Sequence, residues 1–318
     1  MKIAIYSDVH GNHPALKKVL EEIEKLNAEE QIIAGDYCLS GAWPDDCIKT
    51  LRSIPEKHMI RGNEERYLEN LIGKDQSTWT DGQMQISYWN YRNIRRENLD
   101  YILSLPQELE FIRNGVKIRV AHASKDLIGD VEFERFGPAV LAEKHAGEEI
   151  TPERLKQEIR EILDSDEAFL KRTEALEDGI YIFGHSHVQW SWRAKDRNLL
   201  LINPGSCGLP LDGIRNSLPF DILTIHEDGS FELSERRIPM EMQDYVSALC
   251  QTTQYTEAKV WTKVITRELL TSREHLTFFL RFAEDYAGRI GDPVRPFSVE
   301  TWEKAYAEWE CVNGDGSV

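Results

Sequence analysis

Seven side chains stand out for the chemistry they could do together. Asp8-Val9-His10, Gly35-Asp36, Gly62-Asn63, His122 and Gly184-His185-Ser186-His187 each stand at the end of a short apolar run. They offer two carboxylates (Asp8, Asp36), one amide oxygen (Asn63) and four imidazoles (His10, His122, His185, His187). Mixed oxygen and nitrogen donors of this kind suit mid-row divalent ions such as Mn, Fe, Zn or Co. The set has too much nitrogen for a Ca or Mg cage and too little sulfur for a structural zinc. Each residue alone has an ordinary role. Asp8 would cap a turn, and Asn63 would cap a helix whose positive end Glu64 and Glu65 favour. His185 and His187 are harder to place this way, because residues two apart at a strand end point to the same side. Their joint occurrence is what argues for a metal site.

Such residues meet only if the fold returns its strand ends to one place. Residues 2–7 form an apolar run that stops at Asp8. Gly11-Asn12-His13-Pro14 then opens a helix, with Pro14 in its first turn and Leu16, Val19, Leu20 and Ile23 on one face. Runs at 31–34 and 57–60 stop at Gly35-Asp36 and Arg61-Gly62-Asn63; runs at 116–121, 180–183 and 199–202 stop at His122, Gly184-His185 and Asn203-Pro204-Gly205. Apolar strands alternating with helices and polar loops predict an α/β sheet. In open sheets of this class, ligands bind outside the carboxyl ends of the strands, where all these residues would lie. A charged helical stretch spans about 125–178, with Thr151-Pro152 opening a helix that carries Leu155, Ile159 and Ile162. Residues 220–238 alternate like edge strands. From about Met240 helical periodicity takes over, and a helix near 299–310 sets Trp302, Tyr306 and Trp309 on one stripe. The ending after Asn313 is expected to fray.

Composition narrows the partners. In 318 residues, 38 Lys and Arg face 55 Asp and Glu, a formal charge of −17, which disfavours nucleic acid and membrane surfaces as polyanionic partners. No run approaches the roughly 18–20 apolar residues needed to span a bilayer. The opening strand reaches Asp8 too soon for a secretory signal. Five cysteines (38, 47, 207, 250 and 311), an odd count without a CxxC, fit a reducing cytoplasm.

The five blocks D-x-H, G-D, G-N, a lone His and G-H-x-H, in this order across residues 8–187, resemble the signature of the calcineurin-like metallophosphoesterases. The resemblance implies an α/β fold, an αββα sandwich with mixed sheets over residues 1–238 that carries the insert at 125–178. Residues 239–318 would be a C-terminal helical extension, either a lid, a route to a homo-oligomer or packing behind the sheet. It also implies two divalent metal ions, with Mn the one expected to support activity. Asp8, His10, Asp36 and His187 would hold one ion, and Asp36, Asn63, His122 and His185 the other. Within the family the chain looks most like the bacterial small phosphodiesterases and diadenosine-tetraphosphatase-like enzymes, a placement that the Asn203-Pro204-Gly205-Ser206 turn strengthens. The implied activity is hydrolysis of phosphodiester or phosphoanhydride bonds in a small phosphorylated or nucleotide substrate, by a hydroxide shared between the metals. Asp36, Asn63 and His122 would serve catalysis, with His13 a candidate proton donor; Asn12, Arg61 and Asn63 would contact substrate, and Trp43 is a candidate to stack on adenine. The alternatives are a phosphoprotein phosphatase and a non-catalytic metal- or nucleotide-binding regulator.

Two positions depart from the protein-phosphatase branch. Glu64 follows Asn63 where that branch has a His that protonates the leaving oxygen, and Ser40 stands where it has a phosphate-gripping Arg. An alkoxide leaving group, with a conjugate acid as weak as water (pKa about 15.7), gains much from an acid. A phosphate leaving group, with a pKa near 6, needs none. Anhydrides and activated diesters are therefore expected to outrun phosphoserine.

Overall fold

The computed structural model describes residues 1–313. In chain order the strands are β1 (Lys2–Tyr6), β2 (Glu30–Ile33), β3 (Lys57–Met59), β4 (Glu108–Arg113), β5 (Val116–Ala121), β6 (Gly179–Ile182), β7 (Gln189–Arg193), β8 (Leu199–Pro204), β9 (Ser217–Ile225) and β10 (Phe231–Pro239). Among the described residues they make two five-stranded mixed sheets, ordered β10-β9-β1-β2-β3 and β4-β5-β6-β8-β7. The continuous apolar runs have a simple cause: both faces of the central strands are covered. Ile3 and Ile5 of β1 face Ile118, Val120, Ile180 and Ile182 of the opposite sheet. Ala4 and Tyr6, pointing the other way, pack on the helices His13–Lys25 and Pro44–Ser53. Likewise Tyr181, Leu199 and Leu201 pack outward on the helices Pro152–Ser165 and Glu167–Glu174. The layering is the expected αββα sandwich.

β4 and β7 do not stand out in the sequence, and both are edge strands. The burial of β4 alternates residue by residue, so Glu-Leu-Glu-Phe-Ile-Arg is a half-solvated edge without an apolar run. The helices after β10 join the core of the first sheet: Met242, Tyr245, Val246, Leu249, Ile265 and Leu269 share one cluster with Ala4 and Tyr6. The aromatic stripe of the last helix, Val299–Asn313, closes on Phe279, whose ring centroid lies 4.6 Å from Trp302 and 5.5 Å from both Tyr306 and Trp309. Among the described residues no helix is long and apolar enough to cross a membrane. The ending after Asn313, expected to fray, lies outside the described residues.

One buried carboxylate in this frame has a pH consequence. Asp221 of β9 is fully buried; its Oδ1 accepts from Gln189 Nε2 at 2.8 Å, and its Oδ2 has no hydrogen-bond partner. Burial, and then the charge of Glu235, push its pKa well above the carboxylate range. Because the folded pKa exceeds the unfolded one, the stability tied to the protonated form is present at low pH and is lost as pH rises through the folded value. Asp221→Asn should therefore raise the melting temperature at pH 8, with a smaller gain at pH 5. Thermal unfolding at the two pH values checks this, and an equal or absent gain at pH 8 would refute it.

Candidate metal centre

The loops after β1 and β2 carry Asp8 and His10, and Asp36; those after β5 and β6 carry His122, and His185 with His187. After β3, Asn63 is the first residue of the helix Asn63–Glu69, whose cap is Gly62 and not Asn63 as expected. Backbone bonds fuse the loops. Asp8 N donates to Gly35 O (3.1 Å), His10 N to Asp36 O (3.1 Å) and Gly184 N to His122 O (2.9 Å). The sheets are tied directly where His185 N donates to Asp8 Oδ2 at 3.1 Å. Asp8, His10, Asp36, His185 and His187 all have left-handed backbones, with φ of 54°, 49°, 54°, 69° and 58°. Non-glycine residues pay about 1–3 kcal/mol each for such a conformation, and they collect where function demands it. The glycines of the motifs are there for close approach. A Cβ on Gly62 would strike the Asp36 carboxylate, and one on Gly184 would sit 2.8 Å from Asp8 Oδ2.

The seven side chains meet, and they meet as acceptors. His122 Nδ1 donates to Ala34 O at 2.6 Å and His187 Nδ1 to Leu209 O at 2.8 Å, since a carbonyl can only accept. His10 Nδ1 is turned to Glu64 Oε2 at 2.9 Å. The Nε2 atoms therefore present lone pairs inward. Those of His10 and His187 face each other at 2.8 Å, with Asp8 Oδ1 at 3.8 and 3.5 Å respectively. His122 Nε2 faces Asp36 Oδ2 at 3.1 Å and Asn63 Oδ1 at 3.0 Å. Acceptors packed against acceptors call for cations between them. Asp8, His10 and His187 form one group able to hold an ion, and Asp36, His122 and His185 form another; Asp36 also joins His10 and Glu64 in a third. The donor set fits divalent metals, with Asp36 in between.

Electrostatics agree. Burial works to raise Asp8, yet His187, His122 and His10 hold its carboxyl well below the usual range. Asp36 is likewise held low against its burial, chiefly by His122. Burial would lower His122, but Asp36 and Asp8 overcome it and push its pKa up to about 10. Burial, followed by the charge on His122, brings His185 down to about 4. The carboxylates thus draw positive charge toward the centre, which a bound cation would supply.

Three acids that sequence reading did not assign hold this arrangement. Glu64 orients His10 in the way carboxylates orient metal-bound imidazoles. Glu64→Ala should weaken Mn binding to metal-stripped protein by about 10–100-fold; calorimetric titration checks this, and a change under about twofold would refute it. Glu65 accepts from Gly62 N (2.7 Å), Tyr37 N (2.8 Å) and Asp36 N (3.2 Å), joining the β2 and β3 loops. Its place three residues after the helix cap is the available signal. Glu132, buried in the segment Glu132–Phe136, accepts from Ser186 Oγ (2.8 Å), Trp190 Nε1 (2.6 Å), Asn203 Nδ2 (3.0 Å) and Ser124 Oγ. No local spacing reveals it.

Other candidates lie elsewhere. Asn12 is a buried helix cap: its Oδ1 accepts from Ala15 N and its Nδ2 donates to Gly208 O, so both ends are used within the protein. His13 turns along its helix to Thr50 Oγ1 at 2.9 Å and does not line the cavities beside the metal ligands. Arg61 lines a cleft with Asn63, His122 and His185, while its Nη1 is tied to Glu69 and to Leu103 O. Trp43 packs on Tyr245 and faces no cavity at the centre.

Comparison with known proteins adds to this geometry. The chain is 28% identical over 230 residues to the uncharacterized protein MJ0912 of Methanocaldococcus jannaschii, covering 68% of this chain and 79% of that protein. Its fold resembles that of a metallophosphoesterase from Sphaerobacter thermophilus, with a TM-score of 0.55 at 20% identity over 85% of this chain and 98% of that one. It also resembles the hypothetical protein PH1004 from Pyrococcus horikoshii OT3, with a TM-score of 0.56 at 15% identity over 86% and 99% of the two chains. Residues 1–228 match the calcineurin-like phosphoesterase superfamily domain, and with the acceptor cluster at its strand ends the chain belongs to that superfamily.

Proposed function

We propose that the protein is a metal-dependent hydrolase of phosphodiester or phosphoanhydride bonds in small phosphorylated or nucleotide substrates. The observation that carries this is the convergence of inward-facing imidazole nitrogens, two carboxylates and the Asn63 amide oxygen on one spot. Asp8, His10, Asp36 and His187 would hold one divalent ion, and Asp36, Asn63, His122 and His185 the other. Bound there, such ions supply Lewis acidity and make a water acidic enough to ionise near neutral pH. The protein's share is positioning. Glu64 and the carbonyls of Ala34 and Leu209 fix three imidazoles by their Nδ1 atoms, and Asp36 lies between the groups of ligands.

The substrate class follows from Glu64. Its carboxylate is engaged by His10, so it orients a ligand where the phosphatase branch has a leaving-group acid. Leaving groups that need no proton are favoured, which points to anhydrides and activated diesters. The test is a parallel assay with added Mn on diadenosine tetraphosphate, bis-p-nitrophenyl phosphate and a phosphoserine peptide. The first two are expected to turn over at least about tenfold faster than the peptide, the low end of what a general acid contributes. A faster peptide would overturn the substrate class, and no turnover of any of the three would overturn the hydrolase.

A further inference from the structure

We infer that the C-terminal helices complete a specificity cavity beside the metal ligands, and that this cavity takes an apolar or aromatic substituent carried by the phosphoryl group. The inference rests on the metal-dependent hydrolase proposed above and adds what the site selects. A cavity of about 330 Å³ opens directly off His10, Asp36, Asn63, His185 and His187. One wall is Phe133, Pro138 and Ala139, from the segment before and within the helix Pro138–Lys144. The facing wall is Ile265, Leu276 and Leu280, contributed by the helices Lys259–Thr271 and Leu276–Ile290, which lie outside the region matched to the superfamily domain.

Several observations make this an apolar subsite rather than a passage for water. Phe133 is 43% exposed and lines the cavity. That ring is held against a metal ligand, its centroid 5.2 Å from that of His185 at 61°. It thus offers an aromatic surface next to where a phosphoryl group would sit. The facing wall also carries Thr277, exposed Arg281 and two acids, and the acids have work in the backbone. Glu268 Oε1 accepts from His275 N at 2.9 Å and Leu276 N at 2.7 Å, and Glu274 Oε1 accepts from Thr277 N at 2.7 Å. The volume is near the lower end of small-molecule sites, roughly 300–1,000 Å³, which is room for one ring-bearing substituent and not two.

The experiment uses Mn-loaded full-length protein and calorimetric titration with phenylphosphonate and methylphosphonate, which share the metal-seeking group and differ only in the substituent. Phenylphosphonate is expected to bind at least about tenfold more tightly, as an apolar pocket discriminates between small groups. Leu280→Gln, on the C-terminal wall, and Ala139→Trp, which fills the cavity from the opposite side, should each cut that ratio to about threefold or less. If Leu280→Gln does not fold, Ala139→Trp carries the test. Equal binding of the two ligands by the native protein, or a ratio unmoved in the folded variants, would overturn the cavity's role. Binding of neither ligand would instead overturn the metal-site proposal beneath it.

Discussion

Asp36→Ala is expected to lower turnover of bis-p-nitrophenyl phosphate with added Mn by about a thousandfold or more. Charge stabilisation by a metal ion is worth several kcal/mol, and each 1.36 kcal/mol is a factor of ten. Asp36 links the two halves of the centre. Asp36 belongs to two of the groups able to hold an ion, its Oδ2 lies 3.1 Å from His122 Nε2, and its Oδ1 accepts from Glu64 N at 2.9 Å. Loss of the carboxylate removes a ligand from both proposed ions and frees the start of the helix Asn63–Glu69. The bound Mn content and the rise in melting temperature on adding Mn should fall together with turnover. Exhaustive chelation of the native protein should reproduce the loss, and restored Mn should reverse it in the native chain only. A variant that kept full metal content and more than a tenth of its turnover would refute the bridging position.

The largest effect on stability is expected at Glu132. Glu132→Ala would leave the Trp190 indole N–H and the hydroxyls of Ser124 and Ser186 without their buried acceptor, while the Asn203 amide would keep only Gly184 O and Ser186 Oγ. Each buried donor left unsatisfied costs about 1–3 kcal/mol, so the loss should reach several kcal/mol. Glu132→Gln is the informative control. Its carbonyl can still receive Trp190 and Asn203, and the Ser124 hydroxyl can rotate to accept from the new amide, so the cost should be nearer 1 kcal/mol, that of a typical hydrogen bond. Urea unfolding of both variants measures the difference. Equal costs would mean that the amide cannot replace the carboxylate as acceptor, and would refute the expected rescue. Metal affinity should drop in the alanine variant as well, because Ser186, which binds Glu132, separates His185 from His187.

The candidate ligands after β1 and β6 were legible because those strands are buried on both faces and read as apolar runs, whereas β5 alternates and the edge strand β3 is short, so His122 and Asn63 stood out through the order of the motifs. The pairs Gly35-Asp36, Gly62-Asn63 and Gly184-His185 kept their meaning because their glycines admit a neighbouring carboxylate or imidazole at close range. What escaped was whatever depends on partners far along the chain. Glu132 gains its role from residues up to Asn203, and Leu276 and Leu280 from a cavity whose opposite wall lies near residue 138. Edge strand β4 escaped because its solvated side breaks the apolar run, and β7 because buried Gln189 and half-buried Ser191 interrupt its tryptophans. Asn12 and His13 sit one and two residues beyond the motif glycine. Asn12 serves its own helix as a cap and His13 the neighbouring one through Thr50, competing roles that local spacing could not separate from substrate contact.

The position of β1 sets the order in which a nascent chain can finish folding. β1 meets β2 soon after the ribosome releases it, yet its other edge waits for β9, where Ile5 pairs with Asp221. At about 5–20 residues per second, that edge stays bare for about 10–40 s of translation. A row of unpaired amides on an isoleucine-rich strand is a template for intermolecular association. Yield in the cell should therefore depend on what shields the amino-terminal half during elongation, even where the finished protein is stable.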